Sequence, residues 1–232
     1  MRYWAVIPAA GVGSRMKADR PKQYLSLAGR TVLEQTLNIF FAHPAIHGIV
    51  VAISADDPYF AQLRLHDNKP LRVVEGGRER CHSVANALAC LQQEAEPQDW
   101  VLVHDAARPC LTQAELTQLI DQLQDDPVGG ILATPVRDTK KRAAADGRIA
   151  ATVDRTDLWR ALTPQMFRLG MLADALQQAL AAEATLTDEA SALEFIGQAP
   201  RLIEGSVRNI KITQPEDLAL AEFYLRELTP RF

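Results

Sequence analysis

Near its start the chain reads Tyr3-Trp4-Ala5-Val6-Ile7-Pro8, followed directly by Ala9-Ala10-Gly11-Val12-Gly13-Ser14-Arg15-Met16. The first segment is a short apolar run, which is typical of a strand buried on both faces of a parallel sheet. Such a strand delivers the second segment to the carboxyl edge of the sheet, where α/β folds bind ligands. Glycines at positions 11 and 13 permit close backbone approach, so successive N–H groups can face phosphate oxygens. The stretch therefore predicts a phosphate-binding loop in an α/β fold.

The residues around this turn distinguish it from two well-known phosphate loops. A P-loop needs Gly-x-x-x-x-Gly-Lys-Ser/Thr, and the dinucleotide fingerprint needs a third glycine where Met16 stands. A Gly-x-Gly by itself is also compatible with an ordinary turn after a strand. Arg15 and the Pro21-Lys22 pair place cations close to the turn, and this combination favours a site for a nucleoside triphosphate.

Composition and charge limit the classes of partner. With 232 residues, 47% of them hydrophobic and 23% charged, the chain can form one sizeable core, and we expect a single domain over 1–232. The net charge of −4 argues against a nucleic acid or a membrane surface as the main partner. Positive charges occur in local groups, which favours small anionic ligands; these groups are Arg15/Lys17/Arg20/Lys22, Arg78/Arg80, Lys140/Lys141/Arg142 and Arg208/Lys211.

Cysteine usage and the start of the chain bear on the compartment. Cys81, Cys90 and Cys110 are odd in number and lack Cys-x-x-Cys spacing, which indicates neither a disulfide framework nor a zinc site. A core strand begins almost at Met1, so we expect no leader peptide, and no run of eighteen apolar residues occurs. These features predict a cytoplasmic protein.

Strand and helix patterns alternate from one end of the chain to the other. Apolar runs that predict strands lie at 3–8, 48–53, 71–75, 100–104, 130–133 and 207–212. Two capping boxes, Thr31-Val32-Leu33-Glu34 and Thr112-Gln113-Ala114-Glu115, each predict the start of a helix. The alternation predicts an α/β fold with a single doubly wound, mainly parallel sheet.

The pattern changes between about 134 and 158. This segment is polar and charged, contains the turn signal Ala145-Asp146-Gly147 and has no helical apolar face. A β-hairpin arm that projects from the body and packs against a second subunit would have this sequence. A disordered surface loop is the alternative.

Two further polar segments follow predicted strands. Asp105 and Arg108, in His104-Asp105-Ala106-Ala107-Arg108-Pro109, could orient a substrate hydroxyl and clamp a phosphate, or could form an internal pair that fixes a turn. Gly76-Gly77 and Ser83 could present backbone and hydroxyl groups to a nucleotide base, although a turn into a helix uses the same residue types.

Taken together, six separated segments resemble the 2-C-methyl-D-erythritol 4-phosphate cytidylyltransferase family, in order and in spacing, over essentially the whole chain. The segments are Ala9-Ala10-Gly11-x-Gly13-x-Arg15-Met16, Pro21-Lys22-Gln23-Tyr24, Gly76-Gly77 with Ser83-Val84, His104 to Pro109, Thr187-Asp188-Glu189-Ala190, and Asn209-Ile210-Lys211-Ile212-Thr213.

The resemblance implies a fold, a reaction and an assembly. The fold is the Rossmann-like nucleotidyltransferase fold, and the enzyme is a homodimer of non-mevalonate isoprenoid synthesis. It transfers the cytidylyl group of CTP to 2-C-methyl-D-erythritol 4-phosphate, gives 4-diphosphocytidyl-2-C-methyl-D-erythritol and releases pyrophosphate. Mg²⁺ is implied as the cofactor, although another divalent cation could replace it. The chain has no Asp-x-Asp motif, so we expect the CTP phosphates to hold the metal.

The resemblance also implies roles for individual residues. Those expected to stabilise the charge at the reacting phosphorus are Arg15, Lys22 and Lys211. Those expected to contact CTP are Ala9, Ala10, Gly11, Gly13, Gly77 and Ser83. Those expected to bind methylerythritol phosphate are Asp105, Arg108, Thr139, Arg155, Thr163 and Thr187, with Arg155 reaching the partner subunit's site.

The chemistry of these residues agrees with such a reaction. A phosphate monoester oxygen is already anionic at neutral pH, so positioning and charge neutralisation matter more than a general base. Two alternatives stay open. One is a cytidylyltransferase for another polyol phosphate such as ribitol 5-phosphate, and the other is a noncatalytic nucleotide-binding regulator.

Overall fold

A computed structural model describes residues 1–11, 16, 18–66 and 68–228 of the chain. The strands are β1 Tyr3–Pro8, β2 Ser26–Leu27, β3 Arg30–Thr31, β4 Ile46–Ile53, β5 Leu71–Glu75, β6 Trp100–Val103, β7 Gly129–Pro135, β8 Lys140–Ala143, β9 Ile149–Val153, β10 Trp159–Arg168 and β11 Arg201–Glu204. The α-helices are α1 Val32–Ala42, α2 Arg80–Leu91, α3 Gln113–Leu123, α4 Leu169–Ala181, α5 Glu189–Phe195 and α6 Glu216–Leu228.

Seven strands form the central sheet, in the order β11-β7-β10-β6-β1-β4-β5. The pairs of β1 with β4 and β6, of β4 with β5 and of β7 with β11 are parallel. Only β10 runs antiparallel to its neighbours, β6 and β7. The predicted doubly wound, mainly parallel α/β sheet is confirmed.

Strand β1 lies near the middle of this sheet and is buried on both faces. Ala5 and Ile7 pack on one face with side chains of α1 and α3, while Trp4 and Val6 pack on the other with side chains of α2, α4 and α5. This two-sided burial explains why β1 is a continuous apolar run rather than an alternating one. It also fixes the end of β1, and hence the loop that follows it, at the carboxyl edge.

The capping residues in the sequence predicted where helices α1 and α3 begin. Both capping boxes are present: the hydroxyls of Thr31 and Thr112 accept from the backbone N–H of Glu34 and Glu115, whose carboxylates accept from the threonine N–H groups. Each reciprocal pair satisfies orphan donors of the first helical turn. Asp188 caps α5 in a similar way through the N–H of Ser191.

The predicted strand at 207–212 is wrong, because this segment is irregular and β11 lies just before it. Its polar groups make bonds to distant parts of the chain, and they form no strand ladder. The Asn209 side chain donates to the Thr163 carbonyl at 2.8 Å, and the Ile212 N–H donates to the Ala107 carbonyl at 2.8 Å. An apolar run therefore lines the carboxyl edge rather than extending the sheet.

The segment between β7 and β10 carries a β-hairpin, as the turn signal predicts. β8 and β9 pair antiparallel in a sheet of their own, and Gly147 takes the positive φ of +80° in the connecting turn. The strands are largely exposed, and Ile149 has 68% of its surface accessible. No helix among the described residues has the length and apolarity needed to cross a membrane.

Candidate active site

A cavity of about 330 Å³ opens at the carboxyl edge of the sheet. The turns after β1, β5 and β6 form its walls, and Lys22 and Lys211 complete them. The described members of the predicted nucleotide-binding set all line this cavity; they are Ala9, Ala10, Gly11, Gly77 and Ser83. Gly13 and Arg15 lie outside the described residues.

The loop after β1 is held from beneath by Gln23, for which the sequence suggested no role. Its side-chain amide donates to the carbonyls of Ala9 at 2.6 Å and Gly11 at 3.0 Å. The Ser54 hydroxyl donates to the Ala10 carbonyl at 3.0 Å. Because these three carbonyls accept from protein donors, the backbone at 9–11 is preorganised before any ligand binds.

Lys22 stands where the sequence predicted a phosphate-binding cation. Its ammonium group donates to the Ile212 carbonyl at 2.7 Å. This bond links Lys22 to the irregular segment 207–212. Lys211 belongs to that same segment and also lines the cavity.

The turn after β5 is shaped by Ser83. Its hydroxyl accepts from the Gly77 N–H at 3.0 Å and donates to the Glu79 carbonyl at 3.3 Å. A Cβ at Gly77 would lie only 2.3 Å from the Cβ of His82, so close packing requires glycine here. Ser83 thus organises the turn, and its predicted contact with a base stays a prediction.

Asp105 is the electrostatic centre of the site. Its carboxylate meets the Arg80 Nε at 3.0 Å, the Arg108 Nε at 3.1 Å and the Lys211 ammonium at 3.0 Å. Burial acts to raise the pKa of Asp105, but the positive charges of Arg80, Lys211 and Arg108 outweigh it and hold the pKa well below its usual range. The carboxylate is therefore ionised, and its ion pairs hold the three cationic side chains close together.

Arg80 is a site residue that the sequence reasoning missed. It opens α2, and its guanidinium bonds both oxygens of Glu189, at 2.6 and 3.0 Å, as well as Asp105. Burial acts to lower the pKa of Arg80, yet the two carboxylates raise it, so the side chain is always charged. Two signals were available: Arg80 belongs to the Arg78/Arg80 group of positive charges, and it lies three residues after Gly77, where a long cation can turn back into the cleft.

His104 and Thr163 form a buried relay behind Asp105. The Arg108 carbonyl, 3.0 Å from Nε2 of His104, can only accept, so Nε2 carries the proton. Nδ1 then accepts from the Thr163 hydroxyl at 2.9 Å, and that hydroxyl accepts from the Asp105 N–H at 3.1 Å. This chain of bonds holds Asp105 in place and requires a neutral imidazole.

The neutral state of His104 makes stability depend on pH. Burial lowers the pKa of His104 from 6.5 to about 4 in the folded protein. The unfolded chain binds the proton first on acidification, so this stabilising contribution is complete above pH 6.5 and is lost as pH falls towards 4. We expect the free energy of unfolding to fall over this window by about 3 kcal/mol more in wild type than in His104→Gln. Urea titrations of both proteins at several pH values measure it, and parallel curves would contradict it.

A second cavity, of about 230 Å³, adjoins the first. Three of the residues predicted to bind the acceptor, Thr163, Thr187 and Arg108, line it. Arg80, Asp105 and Lys211 line both cavities and so form their common wall.

Thr139 and Arg155 do not join the other predicted acceptor residues. Thr139 lies just before β8 and Arg155 just after β9, both are exposed, and neither lines either of these two cavities. Within one chain their predicted role is unsupported. Their contribution to a partner's site stays a prediction.

Comparisons with known proteins point to one family. A family model described as 2-C-methyl-D-erythritol 4-phosphate cytidylyltransferase matches residues 3–227. Proteins of that name from Pseudomonas putida and Vibrio vulnificus are 59% and 58% identical over 217 and 221 residues. These matches cover 93% and 95% of this chain and 92% and 93% of those proteins. The crystal structure of the Francisella tularensis protein of that name superposes with a TM-score of 0.82 at 38% identity, covering 97% of this chain and 100% of that chain. The chain belongs to the 2-C-methyl-D-erythritol 4-phosphate cytidylyltransferase family.

Proposed function

We propose that the two adjoining cavities bind the two substrates of the family's reaction, CTP in the larger and methylerythritol phosphate in the smaller. The chain is a nucleotidyltransferase that moves the cytidylyl group of CTP to 2-C-methyl-D-erythritol 4-phosphate in isoprenoid biosynthesis. The observation that supports this placement is the common wall of Arg80, Asp105 and Lys211. Two anionic substrates that meet there would react across a cluster of cations.

The transfer would proceed by in-line displacement at the α-phosphorus of CTP. An oxygen of the substrate phosphate forms the new P–O bond, the bond to the β-phosphate bridging oxygen breaks, and its electron pair leaves with pyrophosphate. No proton has to be removed, because the attacking phosphate is ionised at neutral pH. Lys22 and Lys211 would neutralise the charge that builds on the phosphates, with Arg15 as a further candidate, and Asp105 would orient substrate hydroxyls.

We infer that Mg²⁺ accompanies the triphosphate rather than a protein carboxylate. Asp105 is occupied by three cations and Glu189 by Arg80, so the two buried carboxylates here face positive charge rather than open space. This donor set fits a metal held by phosphate oxygens, as the sequence predicted. When bound there, a divalent cation neutralises part of the charge on the phosphates that separate.

The assignment of the cavities is tested by one variant in each. We expect Thr187→Ala to raise the KM for methylerythritol phosphate by roughly 10- to 100-fold, because a hydrogen bond to a charged group is lost. Ser83→Ala, which frees the turn at Gly77, should instead raise the KM for CTP. Steady-state kinetics with each substrate varied separately distinguish these effects. If both variants changed the same KM, the assignment would be wrong.

We propose that the hairpin is a dimerisation arm. Its apolar residues Ile149 and Leu158 are exposed in the single chain, at 68% and 39% accessibility. Exposed apolar side chains on a projecting hairpin are typical of a surface that is buried against a second protein. Thr139 and Arg155, at the base of the arm, would then reach the partner's acceptor site.

Mixed dimers test this arrangement. Arg155→Ala and Lys22→Ala chains, each impaired alone, should regain about a quarter of wild-type activity when mixed. Half of the dimers are then mixed, and each mixed dimer has one intact site. Lys22→Ala mixed with Lys211→Ala is the matched control and should regain nothing, because both residues line the cleft of their own chain. Equal behaviour of the two mixtures, with mixed dimers verified by differential tags, would rule out shared sites.

A further inference from the structure

Three side chains of metal-binding type lie close together beside the larger cavity, and one of them, Glu79, lines it. Glu79 directly precedes α2, and Cys81 and His82 lie in its first turn. The Cys81 sulfur is 3.7 Å from Nδ1 of His82 and 4.0 Å from Oε2 of Glu79. All three ligand atoms lie within 4.8 Å of one another. The transfer reaction as derived above uses neither Cys81 nor His82.

The separation between the Cys81 and His82 donor atoms is close to that of two ligands around one zinc ion. With Zn–S of about 2.3 Å and Zn–N of about 2.0–2.1 Å, two ligands of a tetrahedron lie about 3.5 Å apart. The Cys81 and His82 atoms are within a few tenths of an ångström of that spacing. Small side-chain rotations would therefore close the set around a cation without moving the backbone.

The donor types select the class of cation. A thiolate and a carboxylate together neutralise a divalent charge, and imidazole adds a neutral nitrogen donor. Thiolate and imidazole favour zinc and similar ions, whereas Mg²⁺ prefers oxygen ligands in an octahedron. Three protein ligands leave a fourth position for water, as in zinc sites that are not closed.

The backbone that carries the three ligands is already fixed. The Glu79 carbonyl accepts from both the N–H and the hydroxyl of Ser83, at 3.1 and 3.3 Å. His82 packs so closely against Gly77 that a Cβ there would lie 2.3 Å from its own. Binding would thus order side chains alone, which keeps its entropic cost low.

We infer that Glu79, Cys81 and His82 bind one thiophilic divalent cation, such as Zn²⁺, beside the larger cavity. The site is separate from a cation carried by the triphosphate and does not depend on the proposed function. Cysteine spacing does not predict this site, because the site uses one thiol only. Its other two ligands are a glutamate and a histidine close to Cys81 in the sequence.

Cobalt and zinc titrations of the nucleotide-free protein test the site. We expect one Co²⁺ per chain with a thiolate-to-metal charge-transfer band in the near ultraviolet, displaced by Zn²⁺. Cys81→Ser should abolish the band, and His82→Asn and Glu79→Gln should weaken binding at least about tenfold. Melting temperatures of the variants report whether they fold, and Glu79 is exposed, so its variant leaves the core intact.

Matched controls come from the same chain. Cys90, also half-buried in α2, and the exposed His66 carry the same donor groups away from the cluster. Cys90→Ser and His66→Asn should therefore bind Co²⁺ as wild type does. Absence of the band in wild type, or its survival in folded Cys81→Ser, would overturn the inference.

Discussion

Lys22→Met is expected to lower kcat for pyrophosphate release by roughly 100- to 1000-fold, while the KM for CTP changes by only about threefold or less. The Lys22 ammonium group is already fixed on the cavity wall by the Ile212 carbonyl, at 2.7 Å. A preorganised cation interacts more strongly with the transition state, in which charge moves towards the leaving pyrophosphate, than with bound CTP. By analogy with the loss of one oxyanion donor, the effect on the barrier is about 2.7–4 kcal/mol.

Two comparisons separate charge from side-chain volume. Lys22→Arg keeps the charge and should retain more activity than Lys22→Met, although its planar head will not reproduce the ammonium geometry. Lys141→Met removes an exposed cation of the hairpin, bound to the Thr152 hydroxyl, and should leave kcat unchanged. A rise in the KM for CTP with an intact kcat in Lys22→Met would show that Lys22 acts in binding alone.

Arg80→Met is expected to destabilise the folded chain by about 3–5 kcal/mol. The substitution leaves the Glu189 carboxylate, which is 1% exposed, without its two bonds to the guanidinium. It also removes one of the three cations around Asp105. An uncompensated charge in a buried position costs far more than the pair contributes, so the loss exceeds that of an ordinary ion pair.

The double variant Arg80→Met/Glu189→Gln should recover part of this loss, because the isolated carboxylate is then gone. Arg201→Met is the matched control, since Arg201 is half exposed and its contact with Asp126 is long, at 3.7 Å. We expect it to change the free energy of unfolding by no more than about 0.5 kcal/mol. Urea denaturation of the four proteins measures all of these values. A cost below about 1 kcal/mol for Arg80→Met would contradict the buried network.

Features encoded over a few residues could be predicted from the sequence. The apolar run of β1 is sufficient to predict that strand. The starts of α1 and α3 are predicted by the reciprocal bonds of Thr31 with Glu34 and of Thr112 with Glu115. The predicted strand at 207–212 is absent because the Ile212 N–H donates to the Ala107 carbonyl, and the Asn209 and Ile212 carbonyls accept from the side chains of Arg108 and Lys22. No local sequence pattern reports such distant partners. Tertiary contacts outweighed strand propensity there.

The same distinction holds in the candidate site. The sequence offered two interpretations of Asp105 and Arg108, a substrate clamp or an internal pair, and the structure contains the pair at 3.1 Å on a cavity wall. The ion pair between Arg80 and Glu189, which adjoins Asp105, could not be predicted because 109 residues separate its partners along the chain. The same holds for Gln23, whose side-chain bonds to two loop carbonyls follow from the fold alone.

Pyrophosphate release by the wild-type protein with Mg²⁺ and single substrate pairs tests the central claim most directly. The pairs are CTP with methylerythritol phosphate, CTP with ribitol 5-phosphate, and UTP with methylerythritol phosphate. We expect turnover with the first pair and kcat/KM lower by at least about 100-fold with the other two, because each places a mismatched polar group in a shaped site. Equal or faster turnover with ribitol 5-phosphate or with UTP would contradict the assignment of these cavities.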